Sequence, residues 1–435
     1  MLIRNVEVQG AGRVDVRVLG GRIAEIGKRL DGTHGSDTPG APDDLDGHGG
    51  ALLPGLHDHH VHLAALAAET ASVRVGPADV TGRDGLAAAL SGGDPAEWVR
   101  AIGYHESVAG DLDRWVLDAL APPDRPVRVQ HRTGAQWVWN SAALRAAGLE
   151  EGTGTGTGAS DGRFWREDER LRGFVPPVRL DLEGVGRRAA ALGVTGFTNA
   201  DPHPADGLLD LLSVLPQRLL VMTVDAPVKL MLDDATLPAP AHLASRIASL
   251  RPRPVAVHCV TRVQLLVTLL ALDEAGPVDG DRIEHASVVP AETIPWIGHL
   301  GVTVVTQPHF PAERGHAYTT DVDADDRPHL YRCRTLADAG IPLAAGTDAP
   351  YGTHDPWAVI RATVERSGGE ALPPESALNL FTGEPQRPGR TRRLTTGMIA
   401  DLCLLHVPLR EALDALSGET VRAAFVGGQR ITAPE

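Results

Sequence analysis

The sequence predicts an α/β fold: a distorted (β/α)8 TIM barrel, with a small composite β-sandwich formed by both chain ends and a large insertion near the barrel mouth. Three observations predict it. Eight short apolar runs in the middle of the chain are followed by helical patterns, the signature of parallel β/α units. Both ends read instead as short strands and turns, and the span 72–175 interrupts the repeat.

At the N-terminus, Val6 and Val8, then Val14, Val16 and Val18, alternate with polar residues. Gly20-Gly21 marks a hairpin turn before Arg22-Ile23-Ala24-Glu25-Ile26. The stretch 31–50, rich in Gly, Asp and Pro, is a loop. The candidate barrel strands are 51–56, 194–199, 218–224, 227–232, 254–259, 281–285, 302–307 and 342–347. Only Asp225 and Ala226 separate the third run from the fourth, whereas a parallel crossover needs about a dozen residues. Either 218–232 is one long or bulged strand, with another drawn from 98–104 or 126–131, or the barrel is locally abnormal. Residues 400–405 and 422–428 close the chain with further strands. The expected division is 1–52 plus 386–435 for the composite domain and 53–385 for the barrel, including insertion 72–175. Inside the insertion, 152–158 reads GTGTGTG. With no evident strand before it or helix after it, a flexible tip is expected rather than a phosphate cradle.

The chain's 435 residues can bury one large core with a satellite beside it. A net charge of −15 argues against affinity for phosphate backbones or anionic membranes, so nucleic acid is not an expected partner. No window supplies about 18 uninterrupted apolar residues, and the N-terminus lacks the apolar core of a signal peptide. Cys259, Cys333 and Cys403 stand far apart, so neither a disulfide framework nor a zinc knuckle is suggested. A cytoplasmic setting is expected. The oligomeric state is open, with a homodimer among the options. Only two lysines, Lys28 and Lys229, accompany dozens of arginines. A surviving lysine therefore invites a chemical reason.

The densest chemical signal is Pro54-Gly55-Leu56-His57-Asp58-His59-His60-Val61-His62. Residues two apart on extended backbone point the same way, so His60 and His62 can grip one metal. His57 and His59 have the opposite parity and are read as structural or supporting. An isolated H-x-H is weak evidence, but His258, His285 and Asp348 each end another predicted strand. Polar groups at the C-terminal ends of barrel strands converge on one mouth. Four imidazoles with one carboxylate suit zinc and, less selectively, other divalent transition metals.

The ordered set PGLHDHHVHL, HRTGAQWVWNSAALRAAGL, VKLMLDDA, VHC, RIEHAS, VVTQPHF, LADAGIPLAAGTDAP and ESALNLFTGEP resembles the amidohydrolase superfamily. Within it the chain resembles the amidohydrolase-3 group and is similar there to N-substituted formamide deformylases. The resemblance spans nearly the whole chain. It implies metal ligation by His60, His62 and Asp348, and a second metal at His258 and His285. It also implies that Lys229 can be carbamylated to bridge two ions; the alternatives are a lysine at the sheet edge and a one-metal site. Trp137, Trp139 and Asn140 would line the substrate pocket, although aromatics are also ordinary core.

A metal-activated water would attack a carbonyl, with Asp348 taking its proton and passing it to the leaving amine. His309 or Gln307 would hydrogen-bond the oxyanion, unless Gln307 merely bonds backbone. His105, beside Glu106, could approach the same mouth or belong to a solvated pair. Asp201 and His203 could shape the pocket or support ligands. Arg332 and Arg366 could bind a substrate carboxylate or serve salt bridges. The expected substrate is a small-molecule amide, N-formyl or N-acyl. Opening of a cyclic amide, hydantoin- or lactam-like, is the alternative. Deaminases of the superfamily typically place a glutamate three residues after the strand-five histidine, whereas His258 is followed by Cys259, Val260 and Thr261. A metal-free scaffold is the reading from another class, disfavoured because every candidate ligand is retained.

Overall fold

The computed structural model of the chain describes residues 1–8, 10, 12–31, 44–94, 97–149, 161–204 and 206–433. These form two compact units, Met1–Leu63 with Leu182–Glu435, and Ala64–Asp181.

In the first unit, β1 (Leu56–Val61), β2 (Val194–Asn199) and β3 (Arg218–Val221) make a parallel sheet in the order β3-β2-β1. A five-stranded parallel sheet follows in chain order: β4 (Val228–Leu230), β5 (Val255–Cys259), β6 (Arg282–His285), β7 (Thr303–Thr306) and β8 (Leu343–Ala345). Helices Pro240–Leu250, Arg262–Ala275 and Ile294–Leu300 alternate with β4 to β7. The longest of them starts where Thr261 accepts the Gln264 N–H at 3.2 Å and stops at Gly276, φ +75°. Its Leu265, Leu269 and Leu272 join Leu243 and Ile247 against Leu230, Val257, Ile283 and Val304 in one buried cluster. Full burial of each such side chain contributes roughly 1.5–3 kcal/mol.

Two expectations are corrected here. The run 51–56 is divided by Pro54-Gly55: Ala51–Pro54 joins the sheet of the chain ends, His57, His59 and His60 lie within the parallel strand β1, and His62 lies just past its end. Gly55 fits this division because a Cβ there would meet the Thr195 side chain at 2.2 Å. The candidate runs 218–224 and 227–232 are indeed two strands, but in two different sheets, which excludes the alternative of one long strand. Between them Asp225 N–H donates to the Val221 carbonyl at 2.8 Å and Thr223 N–H to the Pro227 carbonyl at 2.9 Å. The turn replaces a crossover because β3 and β4 do not pair, so the dozen-residue requirement does not apply. The spare strands proposed at 98–104 and 126–131 belong to the other unit.

The chain ends meet in one eight-stranded sheet. Its path runs Gln429–Arg430, Val421–Val426, Leu402–Leu405, Ala51–Pro54, Leu2–Val8, Arg13–Leu19 and Arg22–Gly27, with Asp44–Asp46 also paired to Leu2–Val8. Gly20 and Gly21, φ +56° and +74°, make the tight hairpin turn.

The second unit carries a five-stranded sheet in the order Arg163–Trp165, Gln136–Trp139, Val127–His131, Val99–Tyr104, Val73–Arg74. The GTGTGTG segment lies outside the described residues. Among the described residues, no helix is long and apolar enough to cross a membrane.

Candidate metal centre

Side chains of β1 and the residue shortly after β8 converge. Asp348 N–H donates to the His60 carbonyl at 2.7 Å, and His62 N–H donates to the Ala349 carbonyl at 2.9 Å. Gly346 allows this approach, because a Cβ there would stand 2.4 Å from His60 Cβ. Asp348 and His285 both hold left-handed backbone, φ +54° and +68°, a conformation that costs energy and is sustained only by surrounding contacts.

His60 Nε2 lies 3.6 Å and His62 Nε2 3.3 Å from Asp348 Oδ1. That oxygen is buried and makes no hydrogen bond among the described residues. For bonds of about 2.0–2.1 Å to an ion, tetrahedral ligands stand about 3.3 Å apart. The three residues therefore fit a divalent metal: two imidazoles, one carboxylate and an orphaned oxygen between them. His285 stands beside them, its Nδ1 3.9 Å from Asp348 Oδ2 and its ring 4.8 Å from that of His60. The His258 ring is 4.6 Å from His285. Lys229 Nζ lies 3.4 Å from His60 Nε2, placed by its N–H, which donates to Thr223 Oγ1 at 3.2 Å.

Three of these imidazoles are braced from behind. Glu284 takes the Nδ1 side of His60, Asp201 Oδ1 lies 2.7 Å from His62 Nδ1, and Gln307 Oε1 lies 2.8 Å from His285 Nδ1. Acceptors on Nδ1 leave the Nε2 lone pair for a metal. Asn199 steadies Asp201 with a bond of 3.1 Å. Gln307 thus bonds a side chain rather than backbone, and its Nε2 is buried without a hydrogen bond among the described residues.

The electrostatics favour a charged cluster in the interior. Burial works against ionised Glu284, but Arg282, His60 and Lys229 overcome it and hold its carboxyl well below the ordinary range. For Asp348, too, burial is overcome by His62, His60 and His285, so it stays ionised. Burial lowers the Lys229 ammonium from its usual value, against the pull of Glu284 and Asp348. His62 is desolvated, yet Asp201 and Asp348 raise it to about 9. Burial pushes His309 down to about 3, so its ring is neutral at pH 7.

The opposite-parity histidines turn elsewhere: His57 Nε2 lies 2.9 Å from Thr198 Oγ1, and the His59 ring sits tilted against that of His57 with centroids 4.7 Å apart. Other candidates have structural partners. Asn140 is buried, accepts the Val127 and Ala143 N–H groups at 2.9 Å each and donates to the Arg125 carbonyl at 2.8 Å. Trp137 is buried with its Nε1–H on Asp168 at 2.7 Å. Arg332 donates to the Val289 carbonyl at 3.2 Å and pairs with Glu370 at 3.5 Å, Arg366 donates to the Leu330 carbonyl at 3.0 Å, and His203 is exposed.

Sequence reading missed Glu284, Arg282 and Asp58. Arg282 and Glu284 share one face of a strand that is buried throughout, and two charges at that spacing were the available signal. Asp58 ties β1 to Thr347, accepting the Thr347 N–H at 3.0 Å and its hydroxyl at 2.5 Å.

Parallel strands with a His, His and Asp cluster at their ends make a site that could hold a divalent metal. Residues 228–432 match the amidohydrolase family. An N-substituted formamide deformylase from Arthrobacter pascens is 23% identical, with 96% of this chain and 94% of that protein covered. Among solved structures, an uncharacterized metal-dependent hydrolase from Pyrococcus furiosus superposes with a TM-score of 0.68 at 20% identity, covering 92% of this chain and 97% of that one. Atrazine chlorohydrolase from Arthrobacter aurescens, complexed with zinc, gives 0.54 at 17% identity, covering 99% and 95%. The family match covers just under half of the chain, the part that carries Lys229, His258, His285 and Asp348.

Proposed function

We propose that this centre hydrolyses a small-molecule N-formyl or other N-acyl amide. The observation that carries the proposal is the buried Asp348 Oδ1, without a hydrogen bond among the described residues and facing two imidazole nitrogens at 3.6 and 3.3 Å. The formamide reading draws on the end-to-end similarity to the Arthrobacter pascens deformylase. In this reading the two parallel sheets are one distorted barrel, and the sheet of the chain ends is the composite sandwich.

His60, His62 and Asp348 would hold one zinc-class ion, and His258 and His285 a second, with Lys229, once carboxylated, supplying an anionic ligand. When bound, such ions lower the pKa of a coordinated water to about 7 and polarise the scissile carbonyl. Asp348 accepts the proton of the attacking water and returns it to the departing amine. Gln307 Nε2 and neutral His309 supply donors for the oxygen that gains charge. Burial favours the neutral amine of Lys229, the form that adds carbon dioxide with loss of a proton and becomes an anionic, two-oxygen ligand.

The test is a panel of N-formyl, N-acetyl and cyclic amides, assayed by amine release or ring opening on protein stripped with a chelator and reloaded with zinc. Linear N-acyl amides, formamides foremost, are expected to turn over only after reloading. Turnover confined to cyclic substrates, or none across the panel, overturns the proposal.

A further inference from the structure

A second cluster of ligating atoms lies within the unit Ala64–Asp181. Strands Val99–Tyr104 and Val127–His131 run parallel, with Tyr104 in register with His131. The Arg132 N–H donates to the Tyr104 carbonyl at 2.8 Å and continues the alignment past the strand ends. His105 and His131 consequently emerge side by side, their ring centroids 5.9 Å apart.

Both imidazoles present Nε2 to one oxygen. Glu106 Oε2 lies 3.6 Å from His105 Nε2 and 3.3 Å from His131 Nε2, and the three ligand atoms all fall within 4.8 Å of one another. The two nitrogen–oxygen separations are close to the edge of about 3.3 Å expected for tetrahedral ligands on a zinc-class ion.

The surroundings of the rings repeat. His105 Nδ1 is 2.8 Å from Ser107 Oγ, and His131 Nδ1 is 2.8 Å from Thr133 Oγ1, each hydroxyl two residues further along the chain. The backbone N–H groups of Ser107 and Thr133 reach the same nitrogens at 3.2 and 3.3 Å. With these N–H groups donating, each Nδ1 accepts and Nε2 carries the ring proton towards Glu106; a metal at Nε2 would move that proton to Nδ1, where the hydroxyl can accept it and fix the ring plane. An ordinary ion pair needs one imidazole; here two, braced alike, address the same carboxylate. The imidazoles are 13% and 17% exposed and the carboxylate 47%, so the cluster is anchored on its histidine side and open beside Glu106.

We propose that His105, Glu106 and His131 form a separate binding site for a divalent transition-metal ion of the zinc class, with the remaining coordination position open to solvent or a small ligand. Two imidazoles and one carboxylate are borderline donors. They favour zinc, cobalt or nickel over calcium or magnesium, which prefer oxygen cages.

The test is metal binding by the chelator-stripped full chain, read by zinc stoichiometry and by cobalt(II) absorption, independently of catalysis. The variant His105→Ala/His131→Ala is expected to bind one equivalent fewer than the parent chain. Glu106→Gln, at a half-exposed position, should weaken that equivalent at least tenfold without altering the circular dichroism spectrum. A His60→Ala/His62→Ala variant should still take up the equivalent that His131→Ala removes, which separates this site from the centre at Asp348. Equal stoichiometry and affinity in the parent chain and folded Glu106→Gln overturns the proposal. So does loss of every bound ion in folded His60→Ala/His62→Ala.

Discussion

Asp348 and His60 are joined twice: the Asp348 N–H donates to the His60 carbonyl at 2.7 Å, and Asp348 Oδ1 stands 3.6 Å from His60 Nε2. The backbone bond sets the separation of the side-chain atoms. The carboxylate is thus placed by the fold itself, the preorganisation that the proposed centre requires.

Asp348→Asn keeps the size of the side chain and removes its ability to accept a proton. Turnover is expected to fall by about 10²–10⁴-fold, the range of a general base, with an unchanged circular dichroism spectrum. Parent-level kcat in the folded variant would exclude this residue from proton transfer.

Glu284→Gln tests the buried charge cluster. Arg282 and His60 both lean on this carboxylate, and breaking such a pair from one side costs about 3–5 kcal/mol. Urea unfolding of the metal-free variant should show that loss. Zinc affinity should also fall by about 10–100-fold, because the Nδ1 side of His60 loses its anionic acceptor. Parent values in both measurements would show that Glu284 neither balances Arg282 nor orients His60.

Lys229→Ala removes the proposed bridge. Activity is expected to disappear, zinc affinity to drop by about tenfold or more, and small carboxylic acids such as formate or acetate to restore part of the turnover. Unchanged metal content argues against a bridging role.

Gly346→Ala probes the contact between β1 and the segment after β8. The new Cβ would come within 2.4 Å of His60 Cβ, a backbone-level overlap expected to cost about 1–3 kcal/mol or more and to weaken zinc uptake. Gly298→Ala, whose Cβ meets nothing within 4 Å in the helix Ile294–Leu300, is the control and should be neutral or stabilising by about 0.5–1 kcal/mol. Equal thermal stability in the two variants would refute the close approach.

Much of this was legible without coordinates. The parity of His60 and His62 followed from the two-residue repeat of extended backbone, and His258, His285 and Asp348 followed from polar residues closing apolar runs. These are local signals, carried by the identity of neighbouring residues. What the tertiary structure alone decided is of another kind. It divided 51–56 and 218–232 between sheets, assigned Asn140 and Trp137 to the interior of their own unit, and brought Glu284 to His60 across 224 positions of chain. It also set His131 beside Glu106. The physical reason is that a strand's pairing partners, and the groups that satisfy a buried charge, are chosen by burial and geometry over the whole fold, whereas periodicity records only which way each side chain leaves its own strand.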